Sequence, residues 1–103
     1  MKEKEIKIRS KEFWVNIIDF LQQYWALIEE SDDTAQATVY FIHEGSGVFS
    51  NMKFESKDIA TKALMQNGFK KFNDPLENFE TFLSPPIEPY YTVQYKSRDL
   101  VAS

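Results

Sequence analysis

Alternating and clustered apolar residues predict strands along most of the chain. Residues 5–9 alternate polar and apolar side chains with period two, which is typical of a half-buried strand. Residues 36–43 are rich in β-branched and aromatic residues on both alternating sets, which favours a central strand. Similar patterns recur further along the chain. We predict strands at 5–9, 24–30, 36–43, 48–54 and 90–95, with a short edge strand at 69–72 and a glycine-containing turn at 44–47.

Three segments show features of helices. Between Lys11 and Gln23 the apolar residues recur at helical spacing, which predicts an amphipathic helix capped by Ser10. Ser56 is placed to cap a second helix that ends at Gly68. Asp74 and Pro75 predict a short third helix near 75–83. The stripe of the first helix consists of Phe13, Trp14, Ile17, Ile18, Leu21 and Trp25.

These elements together predict an α+β fold. We expect a two-layer sandwich in which helices pack on one face of an antiparallel β-meander, with the approximate order β-α-β-β-β-α-β and the short extra helix near 75–83. No repeat or long linker divides the chain, so residues 1–103 are predicted to form a single small domain. Its ends, at about 1–4 and 97–103, are expected to fray.

Composition narrows the classes of protein that fit. The chain has no cysteine and one histidine, which excludes disulfide scaffolds, cysteine-ligated metal sites and the HExxH zinc motif. No apolar run approaches the roughly 18 residues of a membrane span. The first ten residues are charged where a signal peptide is apolar. We therefore predict a cytoplasmic protein that does not contact a membrane.

Motifs for catalysis are missing from the sequence. Ser46 lies between two glycines, but the nucleophile elbow needs the longer pattern G-x-S-x-G on a strand-to-helix turn. His43 is predicted at a strand end with access to solvent, and the Asp32–Asp33 loop lacks the spacing of a calcium-binding EF-hand. We predict no catalytic, cofactor-binding or metal-binding residue, and no enzyme. A small-ligand binder or an enzyme that uses carboxylates or tyrosines in a helix–sheet cleft is the third hypothesis.

Charge is distributed unevenly along the chain. Residues 12–52 contain seven acidic residues and no lysine or arginine. Such a stretch repels phosphate groups and attracts a basic partner. This distribution argues against nucleic acid as the partner.

Two segments nevertheless resemble RNA-binding families. Gly45–Gly68 resembles the third strand and second helix of an RNA-recognition motif, and the predicted elements of residues 11–67 follow the order of a double-stranded-RNA-binding domain. Asn51 stands where the first family has a base-stacking aromatic residue. These resemblances imply a nucleic-acid-associated, RNA-binding-like module, which is our alternative hypothesis. Its bases would be Lys53, Lys57, Lys62, Lys70 and Lys71.

Aromatic residues make up 16% of the chain, more than one face of a small sheet needs for its core. If helices cover one face, apolar side chains on the other face remain for a partner to bury. Our leading hypothesis is a non-catalytic protein-interaction or binding module, whose partner is another protein or a second copy of this chain. The predicted interaction surface consists of Tyr40, Ile42, Tyr90, Tyr91 and Tyr95.

Overall fold

β-branched and aromatic residues build the centre of a single sheet. The computed structural model describes residues 4–19 and 22–93, and in this part of the chain the sheet has seven strands. The predicted meander of three central strands is confirmed, and its middle strand is also the middle of the whole sheet. The strands are β1 (Glu5–Ile6), β2 (Trp14–Asp19), β3 (Gln22–Glu30), β4 (Ala37–Ile42), β5 (Gly47–Phe54), β6 (Lys70–Lys71) and β7 (Tyr90–Thr92).

The sheet is mixed, which corrects the prediction of a purely antiparallel one. The strand order is β1-β7-β5-β4-β3-β2-β6. All neighbours pair antiparallel except β5 and β7, which are parallel, with Gly47 opposite Tyr91 and Val48 opposite Thr92. Residues 72–89 carry the chain from the β6 edge back to β7 on the other side of β5. A crossover of this kind allows two strands to run in the same direction.

The predicted helix at Lys11–Gln23 is wrong, because this segment contains β2 and the start of β3. Trp14 and Val15 are both buried although they point to opposite faces of the sheet, whereas Ile17 is 42% exposed. Apolar residues on both faces of a strand produce runs that also match a helical stripe. The hydroxyl of Ser10 accepts a hydrogen bond from the Glu12 backbone N–H at 3.3 Å, a local turn rather than a helix cap.

The second predicted helix is confirmed as α1 (Lys57–Gln66). The Ser56 hydroxyl accepts a hydrogen bond from the Ile59 N–H at 3.2 Å, and Gly68 follows the helix with φ of 89°. Both features match the capping that the sequence predicts. Ala60 and Leu64 are buried against one face of the sheet, together with Trp14, Ala26, Ile28, Ala37, Val39 and Phe69.

The opposite face is covered by an irregular segment in place of a helix. The predicted helix near 75–83 is reduced to one 3₁₀ turn at Phe79–Thr81. Asn78 adopts a left-handed conformation with φ of 55°, which interrupts a helix at that point. Leu76, which lies within the predicted helix, is 87% exposed. The segment still buries this face, with Phe72, Phe79 and Leu83 packed against a cluster that includes Val15, Trp25, Leu27 and Ile42.

The chain is thus an α+β domain with one sheet, one α-helix on one face and an irregular segment on the other within the described residues. The predicted layer of two main helices on one face is not present there. At the N-terminal side, the Thr92 N–H donates a hydrogen bond to the Lys4 carbonyl at 2.8 Å, and the Lys4 N–H donates one to the Thr92 hydroxyl at 3.0 Å. The remaining residues predicted to fray, 1–3 and 97–103, lie outside the described residues.

Candidate interaction surface

The residues predicted to form the interaction surface do not share one exposed patch. Ile42 and Tyr90 are 0% and 3% exposed, and both belong to the cluster under residues 72–89. Tyr40 is partly buried against the same cluster, and Tyr91 is 37% exposed on β7. Tyr95 lies outside the described residues. A partner therefore has no open access to the centre of this set.

Sequence reasoning missed a group of aromatic side chains on the face that carries α1. We call Tyr24, Phe41, His43 and Phe49 the aromatic row. The ring centroids of Tyr24 and Phe49 are 5.3 Å apart, and those of Phe41 and Phe49 are 6.4 Å apart. All four side chains are partly buried, so the row retains apolar surface in contact with solvent. The alternation of side chains along a strand predicts that Phe41 points to one face of the sheet and that Tyr40 and Ile42 point to the other. It does not predict which of the two faces is exposed to solvent.

A hollow of about 430 Å³ lies between α1 and the row, and we call it the helix-side hollow. No titratable group lines it. The two asparagines at its wall are already engaged, since the Asn16 side-chain amide donates to the Asn67 carbonyl at 3.2 Å and the Asn67 amide donates to the Ala63 carbonyl at 2.7 Å. Its apolar lining consists of Phe41, Met52, Phe54, Ala63, Leu64 and Phe69.

A second hollow, of about 260 Å³, lies at the other end of the row, and we call it the loop-side hollow. Its walls are Tyr24, His43 and Phe49 with the polar residues Gln22 and Glu44. The Glu44 carboxylate accepts a hydrogen bond from the backbone N–H of Gln23 at 3.3 Å, which holds one carboxylate oxygen near the row. The hollow therefore combines aromatic faces with a single negative charge.

Local backbone geometry sets the position of His43. Its ring stacks on Phe49 with an interplanar angle of 9°, and its Nδ1 accepts a hydrogen bond from the Gly45 N–H at 3.3 Å. A Cβ on Gly47 would lie 2.6 Å from His43 Nε2 and 2.4 Å from Val93 Cγ2. Glycine at 47 is therefore needed for close approach. Within this loop the residue with a positive φ is Ser46, at 68°, and not Gly45 or Gly47.

A cleft of about 590 Å³ is lined by a structural network of charged residues. The Arg9 guanidinium donates to the Glu29 carboxylate, to Asp32 Oδ1 at 2.6 Å and to the Glu30 carbonyl at 2.7 Å. Hydrogen bonds to Asp32 and Glu29 raise the pKa of Arg9. These contacts fasten the N-terminal segment to the end of β3, and they give Asp32 a structural role. Among residues 4–19 and 22–93, no group of three or more acids and histidine could hold a metal ion.

The lysines of the RNA-binding hypothesis do not share one surface. Lys53 pairs across the sheet with Thr38, on the face opposite α1, while Lys57 and Lys62 lie on α1. Lys70 Nζ is 2.9 Å from Glu77 Oε2, and this contact raises the pKa of Lys70. Lys71 Nζ lies 5.8 Å from the centre of the Trp14 ring. The five bases therefore do not form the continuous stripe that a phosphate backbone requires.

Comparison with known proteins leaves the surface to be interpreted from its own geometry. No family model, curated protein or solved structure matches the chain. Within the part of the chain that the structure describes, no helix is long and apolar enough to cross a membrane.

Proposed function

We propose that this chain is a non-catalytic protein-interaction module that binds its partner through the aromatic row and the helix-side hollow. One observation carries the proposal. Phe41 and Phe54, both partly buried, line the helix-side hollow together with Met52, which is 52% exposed. The partly buried rings of Phe49 and Tyr24 continue this apolar surface from Phe41. Contiguous apolar surface of this kind is typical of binding sites on small domains, and aromatic residues and methionine are enriched at protein interfaces.

A protein partner fits this surface better than nucleic acid does. The helix-side hollow has no titratable lining, and the loop-side hollow adds the carboxylate of Glu44. Binding to nucleic acid depends largely on neutralising phosphates with lysine and arginine. The cytoplasmic location and the choice between another protein and a second copy of this chain remain predictions.

Selection from a displayed library of random twelve-residue peptides tests the proposal. The matched variants are Met52→Glu, in the lining of the helix-side hollow, and Met65→Glu, at a methionine on α1 that is 61% exposed and does not line either hollow. Both substitutions introduce the same charge in place of the same side chain. Circular dichroism melting of both variants verifies that each remains folded.

We expect peptides selected on the unmodified chain to bind Met52→Glu at least about tenfold more weakly and Met65→Glu with little change, as for loss of one interface hot spot. Light scattering during the assay identifies self-association, and a mass near 12.1 kDa shows that the surface is free. If no peptide is enriched, or if binding survives Met52→Glu unchanged, the partner does not bind at the aromatic row and the helix-side hollow.

A further inference from the structure

We propose that the partner segment is extended and presents two side chains to this surface. The first is an uncharged aromatic or large aliphatic side chain that enters the helix-side hollow. The second is a lysine or arginine, two residues away, that enters the loop-side hollow. This inference rests on the proposed function and specifies the chemistry of the partner.

The helix-side hollow selects a neutral apolar group. Its volume of about 430 Å³ is within the range of small binding pockets, and Phe41, Phe69 and Leu64 are among its lining residues. Six of its eight lining residues are apolar, so its wall offers few hydrogen-bonding groups. A charged group placed there would lose its hydration without gaining a counter-charge, because the lining contains none.

The loop-side hollow selects a cation. Tyr24 and Phe49 supply aromatic faces, and the Glu44 carboxylate is held beside them by the Gln23 N–H. A lysine or arginine side chain gains both from the ring faces and from the carboxylate. No positive charge competes for this carboxylate from residues 12–52, since that stretch contains no lysine or arginine. The charge of the site is therefore complementary to a basic side chain.

The two hollows adjoin along the aromatic row, which favours an extended segment. Phe41 lines the first hollow and Phe49 lines the second, and their ring centroids are 6.4 Å apart. Side chains at positions i and i+2 of a strand point to the same side and lie about 6.6 Å apart along it. One extended segment can therefore fill both hollows with alternate side chains.

A double-mutant cycle on one selected peptide tests the inference. The peptide and its variant with glutamine in place of the basic residue are titrated against the unmodified chain and against Glu44→Gln. Glu80→Gln is the control, because Glu80 lies in the 3₁₀ turn on the opposite face of the sheet and undergoes the same change of charge. The library is also selected on Glu44→Lys.

We expect the basic residue to strengthen binding roughly three- to tenfold in the unmodified chain and in Glu80→Gln, and to give no advantage in Glu44→Gln. Selection on Glu44→Lys should replace the basic residue by an acidic one at the same spacing from the apolar anchor. If binding depends on Met52 but shows no coupling between Glu44 and the basic residue, this inference is overturned and the proposed function stands. If binding does not depend on Met52 at all, both are overturned.

Discussion

Replacing Val15 and Ile17 separately by threonine tests the strand assignment of β2. Both variants keep a β-branched side chain, so the preference for a strand changes little. Val15 is 1% exposed, whereas Ile17 is 42% exposed. A helix over Lys11–Gln23 would reverse this order, since Ile17 belongs to its apolar stripe and Val15 does not.

The expected difference follows from burial. Val15→Thr places a hydroxyl in the cluster around Trp25 and Leu27 with nearly the same side-chain volume. Burying such a group without a partner costs about 1 to 3 kcal/mol in proteins, and we take about 2 kcal/mol for this site. Ile17→Thr changes a side chain that solvent already reaches, so we expect a cost below about 1 kcal/mol.

Urea unfolding followed by circular dichroism measures both costs, and thermal melting provides an independent reading. For a domain of this size, a loss of about 2 kcal/mol lowers the melting temperature by roughly 8 to 16 °C. The two variants should therefore differ by several degrees, with Val15→Thr the less stable. If Ile17→Thr is the more destabilised variant, the segment is not a two-faced strand and the account of β2 fails.

Three further changes test other parts of the structure. Gly47→Ala should lower the free energy of unfolding by about 1 to 3 kcal/mol and displace the His43 ring. Gly45→Ala, whose Cβ would lie 3.6 Å from that ring, should melt close to the unmodified chain. Equal melting temperatures of the two variants would contradict the close approach at Gly47. Ser56→Ala should cost about 1 kcal/mol in urea unfolding by removing the α1 cap, and no loss would mean that the cap does not stabilise the helix. Burial and, to a smaller extent, the nearby charge of Glu88 raise the pKa of Tyr90 above its ordinary value of 10.0. As pH rises, the unfolded chain therefore releases the Tyr90 proton before the folded chain does, and the free energy of unfolding falls as pH rises past about 10. Tyr90→Phe should show a smaller fall over that range, and an identical pH profile would refute the contribution of Tyr90.

Local signals account for the parts of the fold that the sequence predicts well. The central strands are rich in β-branched and aromatic residues, and α1 is bounded by Ser56 and Gly68, whose preferences act within a few residues. The prediction for the β2 segment is wrong because Trp14 and Val15 are consecutive and are buried on opposite faces of the sheet. Periodicity alone does not distinguish such a strand from a helix, although the β-branched residues Val15, Ile17 and Ile18 favour the strand.

The binding surface depends on long-range contacts that no local pattern contains. The predicted surface assumed that helices cover one face and leave Tyr40 and Ile42 open on the other. In the structure, residues 72–89 bury that face, and α1 leaves part of its own face uncovered around Phe49. The path of the chain across the sheet decides which face a distant segment covers. Alternation along a strand therefore predicts the two sets of side chains, but it does not predict which set remains exposed.

The methionine methyl groups provide the most direct measurement of the proposed binding surface. Met52 lines the helix-side hollow, whereas Met65 lies on α1 outside both hollows, and the chain has three methionines in all. In a titration of ¹³C-methyl-methionine-labelled protein with a selected peptide, assigned by Met52→Leu, we predict a saturable shift of the Met52 signal and an unchanged Met65 signal. Saturable binding that leaves Met52 unmoved, or that shifts Met65 instead, would contradict the claim that the partner binds at the aromatic row.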